Sequence, residues 1–240
     1  MRTLFLAAAI LFVGGCHVGH GEGKGEGEAH ARRDFQVGAF DRIELAGSPD
    51  VIVTVGGRPS VRAEGDAETI ERLEIVAENG ELRIGMRPGG GSGWFRHHRG
   101  VTVHVTMPSV QAASIAGSGD IRIDRVEGPR FAAQIGGSGD IEIAHLRVAE
   151  ANFAVRGSGG IRAAGGAERA SATVAGNGDL DLEGFEAADA TVALVGSGDI
   201  SLRATRSAAI DLTGSGDVTI TGPARCTIRK SGSGDVRCNA

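Results

Sequence analysis

The chain has 240 residues, 40 of them Gly, with eight Phe, one Trp, no Tyr, and 25 basic against 30 acidic side chains for a net charge of −5. This Gly content is more than twice the usual ~7%; the lack of a three-residue period excludes a collagen-like chain, and alternating Val, Ile and Leu exclude a generic disordered one. The acidic balance argues against a nucleic-acid partner.

Residues 1–15, MRTLFLAAAILFVGG, place Arg2 ahead of an apolar run from Leu4 to Val13. Such a run is too short for a bilayer span, which takes about 20 residues, and it fits a secretory signal peptide. The sequence Val13-Gly14-Gly15-Cys16 resembles the lipobox of bacterial lipoproteins, with Val13 where Leu is commoner. The resemblance implies cleavage before Cys16, lipidation of its thiol and N-terminus, and stable anchoring, since two or more acyl chains suffice. The alternative is an ordinary signal peptide with an incidental cysteine. His17 follows, not Asp, which points the expected address to the outer membrane, periplasmic or surface-facing. Residues 16–33 alternate Gly with charge and read as a flexible tether. Its His17, His20 and His30 make either a plain spacer or a weak Zn or Cu ligand set.

Residues 34–110 are read as the N-terminal rungs and cap of a single domain. They hold Gly47-Ser48-Pro49-Asp50, with Ile43 and Leu45 before it and Val51 and Val53 after it. One helical turn is expected over Ala67–Leu73, then two strands around Asn79-Gly80 within Leu73–Ile84. A Gly-rich loop over 87–100 carries Trp94, Phe95, Arg96, His97, His98 and Arg99, and a strand follows over Val101–Met107. That aromatic and basic cluster is a candidate ligand loop for a partner, an anionic glycan or lipid headgroups, or else a cap over the core.

Residues 111–240 carry the regular repeat. Gly-Ser-Gly-Asp or a close variant begins at Gly117, Gly137, Gly157, Gly176, Gly196, Gly214 and Gly232, at spacings of 20, 20, 19, 20, 18 and 18 residues. Apolar residues recur two and four before each motif (Ile135 and Ala133) and one and three after it (Ile141 and Ile143), with Lys230 the exception two before the last motif, and the residue between the two that follow the motif is polar (Arg122, Glu142). Period two means half-buried strands. A unit of strand, bend and strand has too little core of its own; stacked on copies of itself it buries continuous apolar columns. The expected fold is therefore all-β, a parallel β-helix with 18–20 residue rungs.

The motif places Asp120, Asp140, Asp179, Asp199, Asp217 and Asp235 in one column, interrupted by Gly160. Carboxylates ~5 Å apart repel. Either Ca²⁺ relieves that through oxygen ligands, or the carboxylates cap solvated turns. Cys226 and Cys238 share the inward parity on either side of the last bend, which predicts a disulfide in an oxidising compartment; two buried free thiols are the alternative. No catalytic residues, metal set or cofactor are expected. The returns are short, aromatic platforms are scarce, and no nucleophile elbow stands between strand and helix.

Phe40-Asp41-Arg42-Ile43-Glu44, GSPDVIV, the turn Asn79 to Ile84, VTVHVTMPSV and the repeated GSGD together resemble the head GIN domain of auto-transporter adhesins, over roughly residues 34–240. The resemblance implies a right-handed parallel β-helix in secreted or lipid-anchored bacterial proteins and supplies no catalytic residues. The expected role is a lipid-anchored, non-enzymatic envelope module, structural or adhesive, that meets an envelope glycan or surface protein. The alternative is an envelope β-helix that binds or cleaves polysaccharide, with or without Ca²⁺.

Overall fold

Each repeat lays one strand before its Gly-rich bend and one after it. A computed structural model describes residues 30–87 and 100–239. The strands before the bends are β2 (Arg42–Ala46), β8 (Ala112–Ile115), the ends of β10 (Val126–Ile135), β11 (Ile141–Val155), β12 (Gly160–Gly176), β13 (Asp179–Gly196) and β14 (Ile200–Gly214), then β16 (Arg225–Gly232). Those after the bends are β3 (Asp50–Val55), β9 (Ile121–Ile123), the starts of β11 to β14, β15 (Val218–Thr221) and β17 (Val236–Asn239). The middles of the long strands make a third side, where Leu146 sits between Val126 and Gly165.

The repeats pair in parallel, and their aliphatic columns stay in register. Ile121, Ile141, Ile161, Leu180, Ile200, Val218 and Val236 face one another in sequence. Ala113, Ala133, Phe153, Ala172, Val192, Ile210 and Ile228 form a second column. All but the last rung's members are buried. Phe153 and Phe185 meet edge to face inside, ring centroids 5.4 Å apart. The structure is thus the expected β-solenoid of parallel stacked rungs. Close approach at the bends explains the glycines. A Cβ on Gly198 would lie 1.9 Å from the carbonyl oxygen of Gly178, and Gly196 has φ +139, which L side chains rarely adopt.

The N-terminal rungs do not stack in chain order. β6 (Glu81–Met86) and β7 (Val101–Met107) form one rung, joined by the 87–100 segment where other rungs have a four-residue bend. β2 lies between β6 and β8, and β3 lies between β7 and β9, so the first motif is sandwiched between two later segments.

Beyond that rung the pairing reverses. β5 (Leu73–Glu78) turns through Asn79 (φ 52) and Gly80 (φ 77) and runs antiparallel to β6. β4 (Ser60–Asp66) runs antiparallel to β7, and β1 (His30–Phe35) to β4. A tight turn reverses the chain, whereas a parallel neighbour needs a long crossover. The helix α1 (Ala67–Arg72) packs against β1 and β4 and buries Thr69 and Ile70. The Asp66 carboxylate caps it, accepting the Thr69 N–H at 2.8 Å and the Thr69 hydroxyl at 2.6 Å.

The tether boundary also needs correction. Residues 30–33, assigned from composition to the tether, belong to β1. Arg33 and Phe35 share the face set by Ala63 and Val61 opposite, and Arg32 pairs with Glu64 at 2.7 Å. Backbone pairing along the edge of β4, with only Ala31 and Phe35 half-buried, puts them in the sheet.

Candidate functional site

The aspartate column is a ladder of bonds between rungs. The Asp120 N–H donates to Asp50 Oδ1 at 3.3 Å, Asp140 N–H to Asp120 at 3.0 Å and Gly160 N–H to Asp140 at 2.7 Å. At Gly160 no carboxylate exists to continue, and Asp179 N–H turns to the Gly159 carbonyl at 3.3 Å. The ladder then resumes, with Asp199 on Asp179, Asp217 on Asp199 and Asp235 on Asp217 at 2.8–2.9 Å. Each motif Asp with a rung after it accepts the amide at the same place in that rung, and Asp235 in the last rung only donates. This satisfies a backbone donor at a corner where the strand ladder is broken, and one carboxylate oxygen is committed to it. Among the described residues no group of three or more His, Cys, Asp or Glu is placed to hold a metal ion.

The outer faces carry columns of alternating charge. Along the strands after the bend, Arg122, Glu142, Arg162 and Asp181 stand in register. Arg122 lies 3.6 Å from Glu142, and Arg162 Nε donates to Asp181 at 2.8 Å. A second column runs Arg130, Glu150, Arg169, Asp189. Arg169 donates to Glu150 at 2.6 Å, which lowers that carboxyl's pKa through the hydrogen bond and the nearby cation. Hydrogen bonds from Arg206 and Ser207 hold the Asp189 carboxyl down at about 2. Exposed pairs of this kind contribute little each, ~0–1 kcal/mol. Their alternation avoids like-charge rungs and favours one stacking register.

Hollows interrupt the flat faces. One of about 750 Å³ crosses the third side and is edged by Glu127, His145, Arg147, Glu168 and Glu186. It exists because Gly165 and Gly166 occupy places held by Leu146 and Arg147 in the preceding rung and by Phe185 and Glu186 in the next. A Cβ on Gly165 would lie 2.0 Å from the Leu146 carbonyl oxygen. The second hollow, of about 580 Å³, lies at the start of the strands before the bend. Small side chains (Ala112, Ala132, Ser171) floor it, and Arg42, Arg130, Arg169 and Glu150 rim it. The sequence reading missed both, because a hollow arises from unequal neighbours across rungs, not along one strand.

At the last rung Cys226 and Cys238 are joined by a disulfide, Cα atoms 6.6 Å apart. Closing about a dozen residues contributes ~3 kcal/mol on the loop-entropy account. Lys230, which holds a core-column position opposite Leu212, reaches Asp235 at 3.8 Å across the bend. The candidate lipidation residue Cys16 and the candidate ligand loop Trp94, Phe95, Arg96, His97, His98 and Arg99 lie outside the described residues. Among the described residues no helix is long and apolar enough to cross a membrane.

A family model described as "Putative auto-transporter adhesin, head GIN domain" matches residues 39–224. Solved structures share the fold at low identity. A "putative adhesin" from Bacteroides fragilis NCTC 9343 superposes with a TM-score of 0.83 at 20% identity, covering 89% of this chain and 98% of that one. A "putative adhesin" from Parabacteroides merdae ATCC 43184 gives 0.70 at 17%, covering 90% and 98%. A "putative lipid binding protein" from Parabacteroides distasonis ATCC 8503 gives 0.68 at 21%, covering 88% and 96%. No curated protein matches the sequence.

Proposed function

Because the chain belongs to the family described as putative auto-transporter adhesin, head GIN domain, we propose that it is a lipid-anchored, non-enzymatic binding module of the bacterial envelope. The observation that carries this reading is the hollow rimmed by Arg42, Arg130 and Arg169, with Glu150 on the same rim bound to Arg169. It lies on a sheet held rung to rung by ion pairs and backbone ladders, so its shape is preorganised. Guanidinium groups over a floor of small side chains suit carboxylate or phosphate groups on an extended ligand. The ligand in this reading is an envelope glycan or a surface protein. Cys16 supplies the anchor, and the 16–29 segment spaces the solenoid from the outer membrane.

The test is a glycan array and an envelope-protein pull-down with wild type and with Arg130→Glu/Ser171→Glu, in calcium and in chelator. A ligand retained by wild type and lost by the variant at unchanged melting temperature supports the hollow as the site. Equal retention by both, or release of new reducing ends from a bound polysaccharide, overturns the reading. Cys16→Ser is expected to abolish labelling by a fatty-acid probe and to release the protein from the membrane fraction; unchanged labelling removes the anchor.

A further inference from the structure

The outer face of the third side carries a charge column of its own. Glu127, Arg147, Gly166, Glu186 and Arg203 stand in register, one to a rung. The signs alternate except at Gly166, where the column skips. Above the skip the chain pairs as elsewhere, since Arg203 Nε donates to Glu186 Oε2 at 2.8 Å. Below it, the Arg147 guanidinium has no ion pair among the described residues. The skip is the middle of the hollow of about 750 Å³. The backbone keeps it clear, because a Cβ on Gly166 would lie 2.9 Å from the Glu186 carbonyl oxygen.

The signs on either side of the skip differ, and that decides what suits it. A carboxylate set between the two rungs is drawn to Arg147 and repelled by Glu186. A cation meets the reverse. Only a group that carries both charges satisfies both neighbours, with its negative end toward Arg147 and its positive end toward Glu186. We propose that the hollow on the third side binds an amino-acid zwitterion, its carboxylate on Arg147 and its ammonium on Glu186.

The bound zwitterion restores an unbroken alternation from Glu127 to Arg203. A planar guanidinium takes a carboxylate through two parallel N–H donors. The ammonium finds Glu186 Oε1, since Oε2 is the oxygen held by Arg203. Glu168, two residues beyond Gly166 on the same strand, edges the hollow and adds acceptors. The span agrees as well. Arg147 and Glu186 stand two strand spacings apart, about 9.6 Å. A charge-assisted hydrogen bond of about 2.8 Å at each end leaves about 4 Å, which an ammonium and a carboxylate on one carbon or on neighbouring carbons fill. No residue lines both this hollow and the one rimmed by Arg42, Arg130 and Arg169, so the two sites stand or fall separately.

The full chain carrying Cys16→Ser, labelled with nitrogen-15 and titrated at low salt with glycine and with β-alanine, tests this. Both probes are expected to shift the amide signals of Gly165 and Gly166 and to saturate. Methylamine and acetate each hold half of the zwitterion and are expected to bind at least about tenfold more weakly. Arg147→Gln and Glu186→Gln are each expected to weaken glycine binding at least about tenfold at unchanged melting temperature, since each removes one charged partner. Arg122→Gln, on another side of the solenoid, is expected to leave it unchanged. A titration without saturable shifts overturns the proposal. So does methylamine or acetate binding as tightly as glycine, or either substitution at Arg147 or Glu186 without effect.

Discussion

The backbone N–H of Asp217 donates to Oδ1 of Asp199, eighteen residues earlier, at 2.9 Å. The bond needs an acceptor oxygen and does not need a charge. Asp199→Asn keeps that oxygen and is expected to leave the unfolding midpoint nearly unchanged. Asp199→Ala strands the amide at the corner and is expected to cost about 1 kcal/mol. Chemical denaturation of both variants decides it; equal loss in the two shows that charge, not acceptance, is what the column needs.

Gly160 is where the ladder skips. Gly160→Asp supplies the missing acceptor for the Asp179 amide and removes a glycine from a strand. The new Cβ would meet Asp140 Oδ1 at 3.3 Å, close but against the end of a side chain. Stabilisation of ~0.5–1 kcal/mol is expected, read as a higher melting temperature. A lower one would mean that repulsion from Asp140 and Asp181 wins at this rung.

Ile141 and Arg122 test the facing of the strands. Ile141 is fully buried, and Ile141→Asp sets an unpaired carboxylate in the core at a cost of several kcal/mol. Arg122→Asp acts on the outer face, where the guanidinium lies 3.5 Å from Asp120 and 3.6 Å from Glu142. Its cost is expected to stay near 1 kcal/mol or below. Denaturation midpoints falling equally for the two variants would contradict the alternation.

Asp189 gives the fold an acid-sensitive bond. Its folded pKa, about 2, lies below the ordinary 3.8 because Arg206 and Ser207 hydrogen-bond the carboxylate. A depressed carboxyl pKa stabilises the fold above the unfolded value, and the contribution fades as pH falls from about 4 through about 2. Asp189→Asn is expected to lower stability at neutral pH and to flatten the stability profile across that window. An unaltered slope between pH 4 and 2 would remove Asp189 from the account.

Much of the solenoid is legible in the sequence because period two and a repeat near twenty act on the same residues. Ile121, Ile141 and Ile161 announce both their facing and their stacking. The cysteine pair follows from the same parity. The rung order does not, since β2 pairs with β6 and β8 through segments whose length alone hints at distance, and loop closure costs grow only slowly with length. The charge columns are present in the sequence as Arg122, Glu142, Arg162 and Asp181, but their alternation emerges only when repeats are aligned with one another. The hollow at Gly165 depends on a Gly beside larger neighbours one rung away, and so does the break at Gly160. The Asp acceptors could be guessed; their donors, amides of the next rung, required the stack.

The insertion of β2 and β3 between later segments has a consequence for synthesis. Residues 42–55 leave the ribosome well before either neighbour, and neither parallel edge is covered until 81–107 and 112–123 have followed. The amino-terminal half must therefore close as one cooperative unit, after about half the chain is made. From there each new repeat can settle on a finished template as it emerges. A nascent product halted before residue 123 would expose two unsatisfied strand edges to its neighbours, whereas one that lacks only its last repeat keeps a complete, shorter stack.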